Sequence, residues 1–288
     1  MNNVSIIGIG LIGSSIARAI KDINNQAEIN IVDSNMSHLK SSEHLVLGNS
    51  YHIAINQELE KSEIIFICTP ISTYENIFLE LNKLKLDDCI ITDVGSSKIQ
   101  VIERAKKFLK NKIFVPGHPI AGTEKSGPKN GFKELFKDRW FISTPCEMCE
   151  EHHVKKINDL WKNFGSQIET MSPKDHDSIM AITSHIPHLI AYNIVGTAND
   201  LEEDIKSEVI KFSASGFRDF TRIASSDPTM WRDIMLSNKN EIISMLNKFN
   251  NDLKKVMEAI QNDDGKFLYD KFKKTKEIRE KIIKEGLG

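Results

Sequence analysis

The chain has 288 residues, 38 basic and 40 acidic, for a formal net charge of −2. That length suits two domains or one large one with a substantial core. The near-balance of charge gives no field that would by itself draw a nucleic acid or an anionic membrane, so neither is expected as a partner and small ligands are the class left open.

The chain starts directly on an apolar strand, with no basic region, apolar core and small-residue cleavage site, so no secretory leader is expected. Its cysteines, Cys68, Cys89, Cys146 and Cys149, are too few and too irregular for a disulfide framework. A cytoplasmic protein with reduced thiols is the expectation.

The first strand, "VSIIGI", runs into Gly8-Ile9-Gly10-Leu11-Ile12-Gly13, which opens a helix. In such a GxGxxG turn one glycine permits the tight bend, the next lets backbone approach a pyrophosphate, and the third allows close strand–helix packing. The helix N-terminus then offers unpaired N–H groups to the phosphates. The second strand, "EINIVD", ends at Asp33, twenty residues beyond Gly13. A carboxylate there accepts hydrogen bonds from both ribose hydroxyls of a dinucleotide. It also repels a 2′-phosphate, and no arginine follows it in "DSNMSHLK", so the cofactor reads as NAD rather than NADP.

Further strands follow in "EIIFICT", "CIITDVG", "KIFVPG", "RWFIST" and "QIETM", alternating with amphipathic stretches. Runs this apolar are covered on both faces, which predicts a parallel, doubly wound α/β sheet. Ligands of such sheets bind at the C-terminal strand ends. "CTPIST" puts Thr69 and Pro70 there, on the cofactor side. "TDVGSSK" puts Ser96 and Lys98 there, which read equally well as helix-capping and surface residues. "FVPGHPIAGTEKSG" adds a loop with His118, Thr123 and Glu124. A histidine on this rim suits a general base, and activity is expected to fall below about pH 6.5 as it protonates. Cys146, Cys149, His152 and His153 have metal-ligand chemistry but crowd into eight residues with no second distant pair, so no metal is expected.

From Pro173 the pattern turns helical, as in Ile242, Met245, Leu246, Phe249, Leu253 and Met257. The domain boundary is placed in "SPKDHD", giving domains 1–172 and 173–288. The apolar run 178–198 has the length of a membrane span, but His185, Pro187 and His188 interrupt it, so it reads as a buried helix. "SHIPH" holds Ser184, His185 and His188, and "GFRDFTRIASSDPTMWRDI" holds Arg218, Asp219, Arg222 and Trp231. Those arginines serve either structural ion pairs or the grip of a substrate carboxylate; by chemistry alone both stand.

Taken in order, "GIGLIG", "DVGSSK", "GHPIAGTEKSG", "SHIPH" and "GFRDFTRIASSDPTMWRDI" resemble the prephenate dehydrogenases and their cyclohexadienyl and arogenate relatives, over nearly the whole chain. The resemblance implies a Rossmann-type, mostly parallel sheet followed by an all-helical domain that pairs two chains as a homodimer. It implies NAD-dependent oxidative decarboxylation of prephenate to 4-hydroxyphenylpyruvate, in tyrosine biosynthesis. His118 is implied as the catalytic group at the substrate's ring hydroxyl, supported by Ser96, and Arg222 as the grip on the side-chain carboxylate. His188 and Ser184 are implied to line the site, with Thr123, Glu124, Asp219 and Trp231 around its entrance. Gly8, Gly10, Leu11, Ile12, Gly13, Asp33, Thr69 and Pro70 are implied to hold NAD.

Two rivals differ in what they require. A helical-domain oxidoreductase acting on a β-hydroxy acid or imine would carry a lysine-based motif in the helical half, and none matches. A non-catalytic NAD-binding redox sensor would keep "GIGLIG" and Asp33 but would not need His118, Ser96 and Arg222. The choice between prephenate and arogenate stays open, because Asp219 could pair with a substrate ammonium or with Arg218 or Arg222.

Overall fold

The computed structural model describes residues 1–201, 208, 211, 212 and 214–284. Six strands, β1 (Asn3–Ile7), β2 (Glu28–Val32), β3 (Ser50–His52), β4 (Ile64–Ile67), β5 (Ile90–Asp93) and β6 (Ile113–Val115), form a parallel sheet in the order β3-β2-β1-β4-β5-β6. The order reverses at the β1/β4 boundary, which opens a crevice at the C-terminal strand ends. Helices α1 (Leu11–Ile23), α2 (Met36–His44), α3 (Tyr74–Asn82) and α4 (Ile99–Phe108) connect the strands. The apolar side chains divide into two clusters. Ile6, Ile16, Ile20 and Phe66 belong to one, and Ile65, Ile67, Tyr74 and Phe78 to the other, as alternation along buried parallel strands requires.

The remaining strands make a second sheet, so the expected single sheet is corrected to two. β7 (Gly117–Pro119) runs antiparallel to β8 (Trp140–Ser143), and β8 runs parallel to β9 (Gln167–Thr170). Pro116 separates β6 from β7; it has no N–H for a ladder, and its carbonyl instead accepts from Thr144 N at 3.1 Å. His118 therefore sits on a short strand and not in a loop. Behind this sheet α5 (Glu151–Asn163) buries Trp161 completely, stacked on Phe141 at 4.4 Å and edge-on to Phe66, Phe136 and Phe164.

After Thr170 the described residues hold no strand. α6 (Pro173–Met180) begins with the Ser172 side chain accepting from Asp175 N and with Pro173 in the first turn, where its missing N–H costs nothing. A π-turn at Ala181–His185 follows, then α7 (Ile186–Asn199). Pro187 cannot donate to the helical ladder, and the wider turn lies just before it. α8 (Ser215–Thr221) leads to α9 (Pro228–Ser237), capped by Asp227 through Met230 N. The run 178–198 is not the fully buried helix expected, because Ile182, Ile194 and Val195 are exposed in the single chain. Among the described residues no helix is long and apolar enough to cross a membrane.

The chain divides into two compact units, Met1–Glu241 and Ile242–Gly288. The second is the rest of α10 (Lys239–Gln261) together with α11 (Gly265–Lys284), and it leaves Phe249, Leu253, Met257, Ile260 and Phe272 exposed.

Candidate active site

The glycine turn between β1 and α1 is built to receive a dinucleotide. Gly8 has φ +94°, and a side chain there would run into Cys68 backbone and Thr69 Cγ2 at the end of β4. At Gly13 a Cβ would collide with the Gly8 carbonyl oxygen, whereas at Gly10 nothing lies within 4 Å. The turn thus combines tight packing on one side with open space where a phosphate would approach. No side chain caps α1 and no acidic residue stands in its first turn, so the N–H groups at Leu11 and Ile12 face no competing anion from the first turn. Asp33 completes the cradle: its Oδ2 accepts from Ile9 N at 2.8 Å and its Oδ1 from Asn35 N at 2.8 Å. His38 Nδ1 lies 3.5 Å from the same carboxylate. Thr69 bonds Thr73 at 2.8 Å, beside exposed Pro70. The residues present fit a dinucleotide whose ribose hydroxyls meet Asp33.

Beyond β4 the rim encloses a polar core. Lys98 is wholly buried, correcting the surface reading. Its Nζ donates to Asp93 Oδ2 and to the Gly117 carbonyl, both at 2.6 Å. Asp93 also accepts from Gly95 N at 2.9 Å, Gly117 N at 3.2 Å and Tyr74 OH at 3.3 Å. One buried carboxylate thereby ties the end of β5 to β7. His118 follows Gly117 directly, and its Nδ1 is 2.9 Å from His176 Nε2. His176 Nδ1 is 2.7 Å from Asp177 Oδ1, and Asp177 accepts from Lys98 N at 2.7 Å and Ile99 N at 2.9 Å.

The helices after Thr170 close over this core. α9 is fastened to the rim by Ser97 Oγ donating to Ser237 at 2.8 Å and Ser72 N donating to Asp233 at 3.2 Å. Asn238 Nδ2 donates to the Asp177 carbonyl at 2.8 Å and lies 3.1 Å from His185 Nδ1. His185 is buried against the Ser96 backbone. His188 stacks on Trp231 at 3.7 Å, and its Nδ1 donates to the Ser184 carbonyl at 2.8 Å. Trp231 is buried, not at an entrance, and its Nε1 and His185 Nε2 are buried polar atoms without a hydrogen-bond partner. Orphan polar atoms at a rim are the kind of group a ligand satisfies.

Arg222 pairs with Glu124 across the opening, Nη1 to Oε2 at 3.4 Å, both exposed. Thr123 Oγ1 accepts from Lys125 N within the same segment. Asp219 stands exposed on α8, and Ser96 is part-exposed on the β5–α4 turn. The structure thus gathers Ser96, His118, Ser184, His188, Trp231, Arg222 and Glu124 around one rim. Lys98, Asp93, His176, Asp177 and Asn238 join them; Lys98 was an even choice between rim and surface, and no site role was expected of the other four. "SPKDHD" carried His176 and Asp177 in plain view, but its proline and serine read as a helix start.

Family models fit the chain in two parts. One described as "Prephenate dehydrogenase, nucleotide-binding domain" matches residues 16–170, and one described as "Prephenate dehydrogenase, dimerization domain" matches residues 172–274. The chain is similar to a cyclohexadienyl dehydrogenase of Zymomonas mobilis, at 36% identity over 96% of this chain and 94% of the relative. It is also similar to a prephenate dehydrogenase of Bacillus subtilis, at 32% identity over 97% of this chain and 76% of the relative. Among solved structures it matches the prephenate dehydrogenase from A. aeolicus in complex with hydroxyphenyl propionate and NAD+, with a TM-score of 0.91, 31% identity and 98% of each chain covered.

His118 is held well below the ordinary histidine value, first by burial and then by His176, Lys98 and His185 around it. Burial likewise lowers His176, against the pull of Asp177, and pushes His185 down to about 4. A lowered value means the neutral ring persists further into acid, so any loss of activity through His118 protonation is expected at a lower pH than the ordinary value gives. The acid limb of kcat/KM against pH should therefore fall below 6.5; a limb at or above 6.5 would show that another group controls it.

Proposed function

The chain belongs to the prephenate dehydrogenase family, and we propose that it catalyses the NAD-dependent oxidative decarboxylation of prephenate to 4-hydroxyphenylpyruvate in tyrosine biosynthesis. The observation that carries this reading is that the part-buried His118, hydrogen-bonded to His176, stands on the same strand-end rim as the glycine turn and Asp33.

Prephenate is a cyclohexadiene with a hydroxyl on one ring carbon and a carboxylate on the opposite one. Held by the glycine turn and Asp33, NAD would supply the acceptor for the hydride lost from the carbinol carbon. His118 takes the hydroxyl proton, which becomes acidic as hydride departs, with Ser96 supporting that contact. Loss of carbon dioxide then sends the C–C bond pair through the ring to the oxygen, the phenolate so formed takes the proton back from His118, and aromatisation supplies the driving force. The chain has no need of a strong acid at the leaving group; it supplies orientation, a base and carboxylate recognition. Gly8, Gly10, Leu11, Ile12 and Gly13 seat the pyrophosphate, Asp33 the ribose, and Thr69 and Pro70 the rim beside them.

Arg222 grips the side-chain carboxylate, a role its planar guanidinium suits. Its present partner, Glu124, must give way to the substrate, so the exposed pair acts as an exchangeable gate. Ser184, His188 and Trp231 wall the pocket, and Thr123 and Asp219 flank its mouth. The Asp219 carboxylate also suits the ammonium of arogenate, and similarity to a cyclohexadienyl dehydrogenase keeps that substrate in the reading.

We place the functional boundary between residues 172 and 173, supported by the change to helices there and by the two family matches. The helical domain forms a homodimer, supported by the dimerization-domain match and by the exposed Ile182, Ile194 and Val195. A cytoplasmic location suits four free cysteines.

Absorbance at the reduced-nicotinamide wavelength, with NAD or NADP and prephenate or arogenate, tests the reaction directly. Turnover is expected with NAD and at least one substrate; no turnover in any combination, with NAD still binding, would remove the dehydrogenase reading in favour of a sensor. Arg222→Ala should raise the substrate KM about 10–100-fold, from the roughly 1.5–3 kcal/mol of a hydrogen bond to a charged group, while leaving the NAD KM nearly unchanged. Equal losses for both ligands would make Arg222 a structural residue.

A further inference from the structure

We infer that Asp177 and His176 are positioning residues that hold His118 in the one tautomer whose Nε2 lone pair is free to take the substrate's hydroxyl proton. This rests on the reading of His118 as the base.

Asp177 is the fixed end of the series. Its two carboxylate oxygens accept from the backbone N–H groups of Lys98 and Ile99 at 2.7 and 2.9 Å, where the ten-residue α4 begins. A helix N-terminus favours the ionised form, which can only accept hydrogen bonds. At 2.7 Å from Asp177 Oδ1, His176 Nδ1 must therefore be a donor. A neutral imidazole has one donor and one acceptor nitrogen, so His176 Nε2 is an acceptor. His118 Nδ1 lies 2.9 Å from it and must donate. The lone pair of His118 is then on Nε2.

The opposite arrangement needs a protonated His176 donating to His118 Nδ1. It would set a second buried cation beside Lys98, on a side chain with no exposed surface. The charged and titratable groups facing His118 are His176, Lys98 and His185, and those facing His176 are Asp177, Lys98, Asp93, His118 and His185. Only the two carboxylates favour a positive ring, and Asp93 is already bound to Lys98 at 2.6 Å.

In turnover the substrate O–H bond breaks, its electron pair becomes the new C=O bond as the C–H pair leaves with hydride, and its proton forms a bond to His118 Nε2. His118 then carries a positive charge that its Nδ1–H shares with His176 and, through it, with Asp177. The series supplies basicity when the proton arrives, although Lys98 and burial keep His118 neutral beforehand.

Two measurements test this separately from the reaction itself. Nitrogen-15 NMR of labelled histidine in the ligand-free chain, assigned with His118→Asn and His176→Asn, should show His118 protonated on Nδ1. A His118 protonated on Nε2 would overturn the proposal whether or not the protein turns over. Kinetically, His176→Phe should lower kcat roughly 10–100-fold, a share of what general-base catalysis supplies, with the KM for NAD and for substrate within about threefold of wild type. His176→Asn, whose amide oxygen can accept from His118, should recover part of that loss. Unchanged kcat and an unchanged pH profile in a folded His176→Phe would also overturn the proposal, while leaving the reaction assigned.

Discussion

The buried ammonium of Lys98 is the constraint on which the site depends. It has no exposed surface, and it holds Asp93 at the end of β5 and the Gly117 carbonyl at the start of β7. Removing either partner of a buried ion pair strands the other and costs about 3–5 kcal/mol. The pair therefore sets how the second sheet meets the first, and with it where His118 stands. The same residue's backbone N–H, with that of Ile99, binds Asp177, so α6 is registered against the start of α4. Charge in this core also bears on the ring: burial, and then His176, Lys98 and His185 beside it, disfavour a positive charge on His118, which suits the proposed base.

The opening of the site has the reverse character. Arg222 and Glu124 face solvent and are paired at 3.4 Å. An exposed pair is worth about 0–1 kcal/mol, so a substrate carboxylate can displace Glu124 at small cost. A part-buried histidine held by a buried polar core, beneath an exchangeable ionic mouth, fits the proposed reaction, which requires accurate placement of the ring and easy entry of a dianion.

Much of the dinucleotide half was legible in the residues, because its physics is local. Gly8, Gly10, Gly13 and Asp33 are fixed by spacing along one strand–turn–helix unit. Motifs drew attention to His118, Ser96, Arg222 and His188, which the structure sets around one rim. Lys98 was not, since lysines are rarely buried and its pairing with Asp93 exists only once α4 has folded back on β5. His176 and Asp177 escaped for a similar reason: their role comes from α6 crossing the start of α4, a tertiary relation that no periodicity encodes. β3 is only three residues long and was not among the expected strands, and β7 follows Pro116 and ends on Pro119, so His118 read as loop. The run 178–198 read as buried because it is apolar, yet Ile194 and Val195 are exposed in one chain. Hydropathy marks a surface to be covered without saying which partner covers it.

The most direct test of the account is His118→Asn, measured for kcat and for the binding of NAD and of substrate in the same preparation. The account predicts a fall in kcat of about 100-fold or more, as expected for loss of a general base, with both dissociation constants close to wild type. A variant that keeps the wild-type kcat would contradict it, and the buried core around Lys98 would then be structural alone.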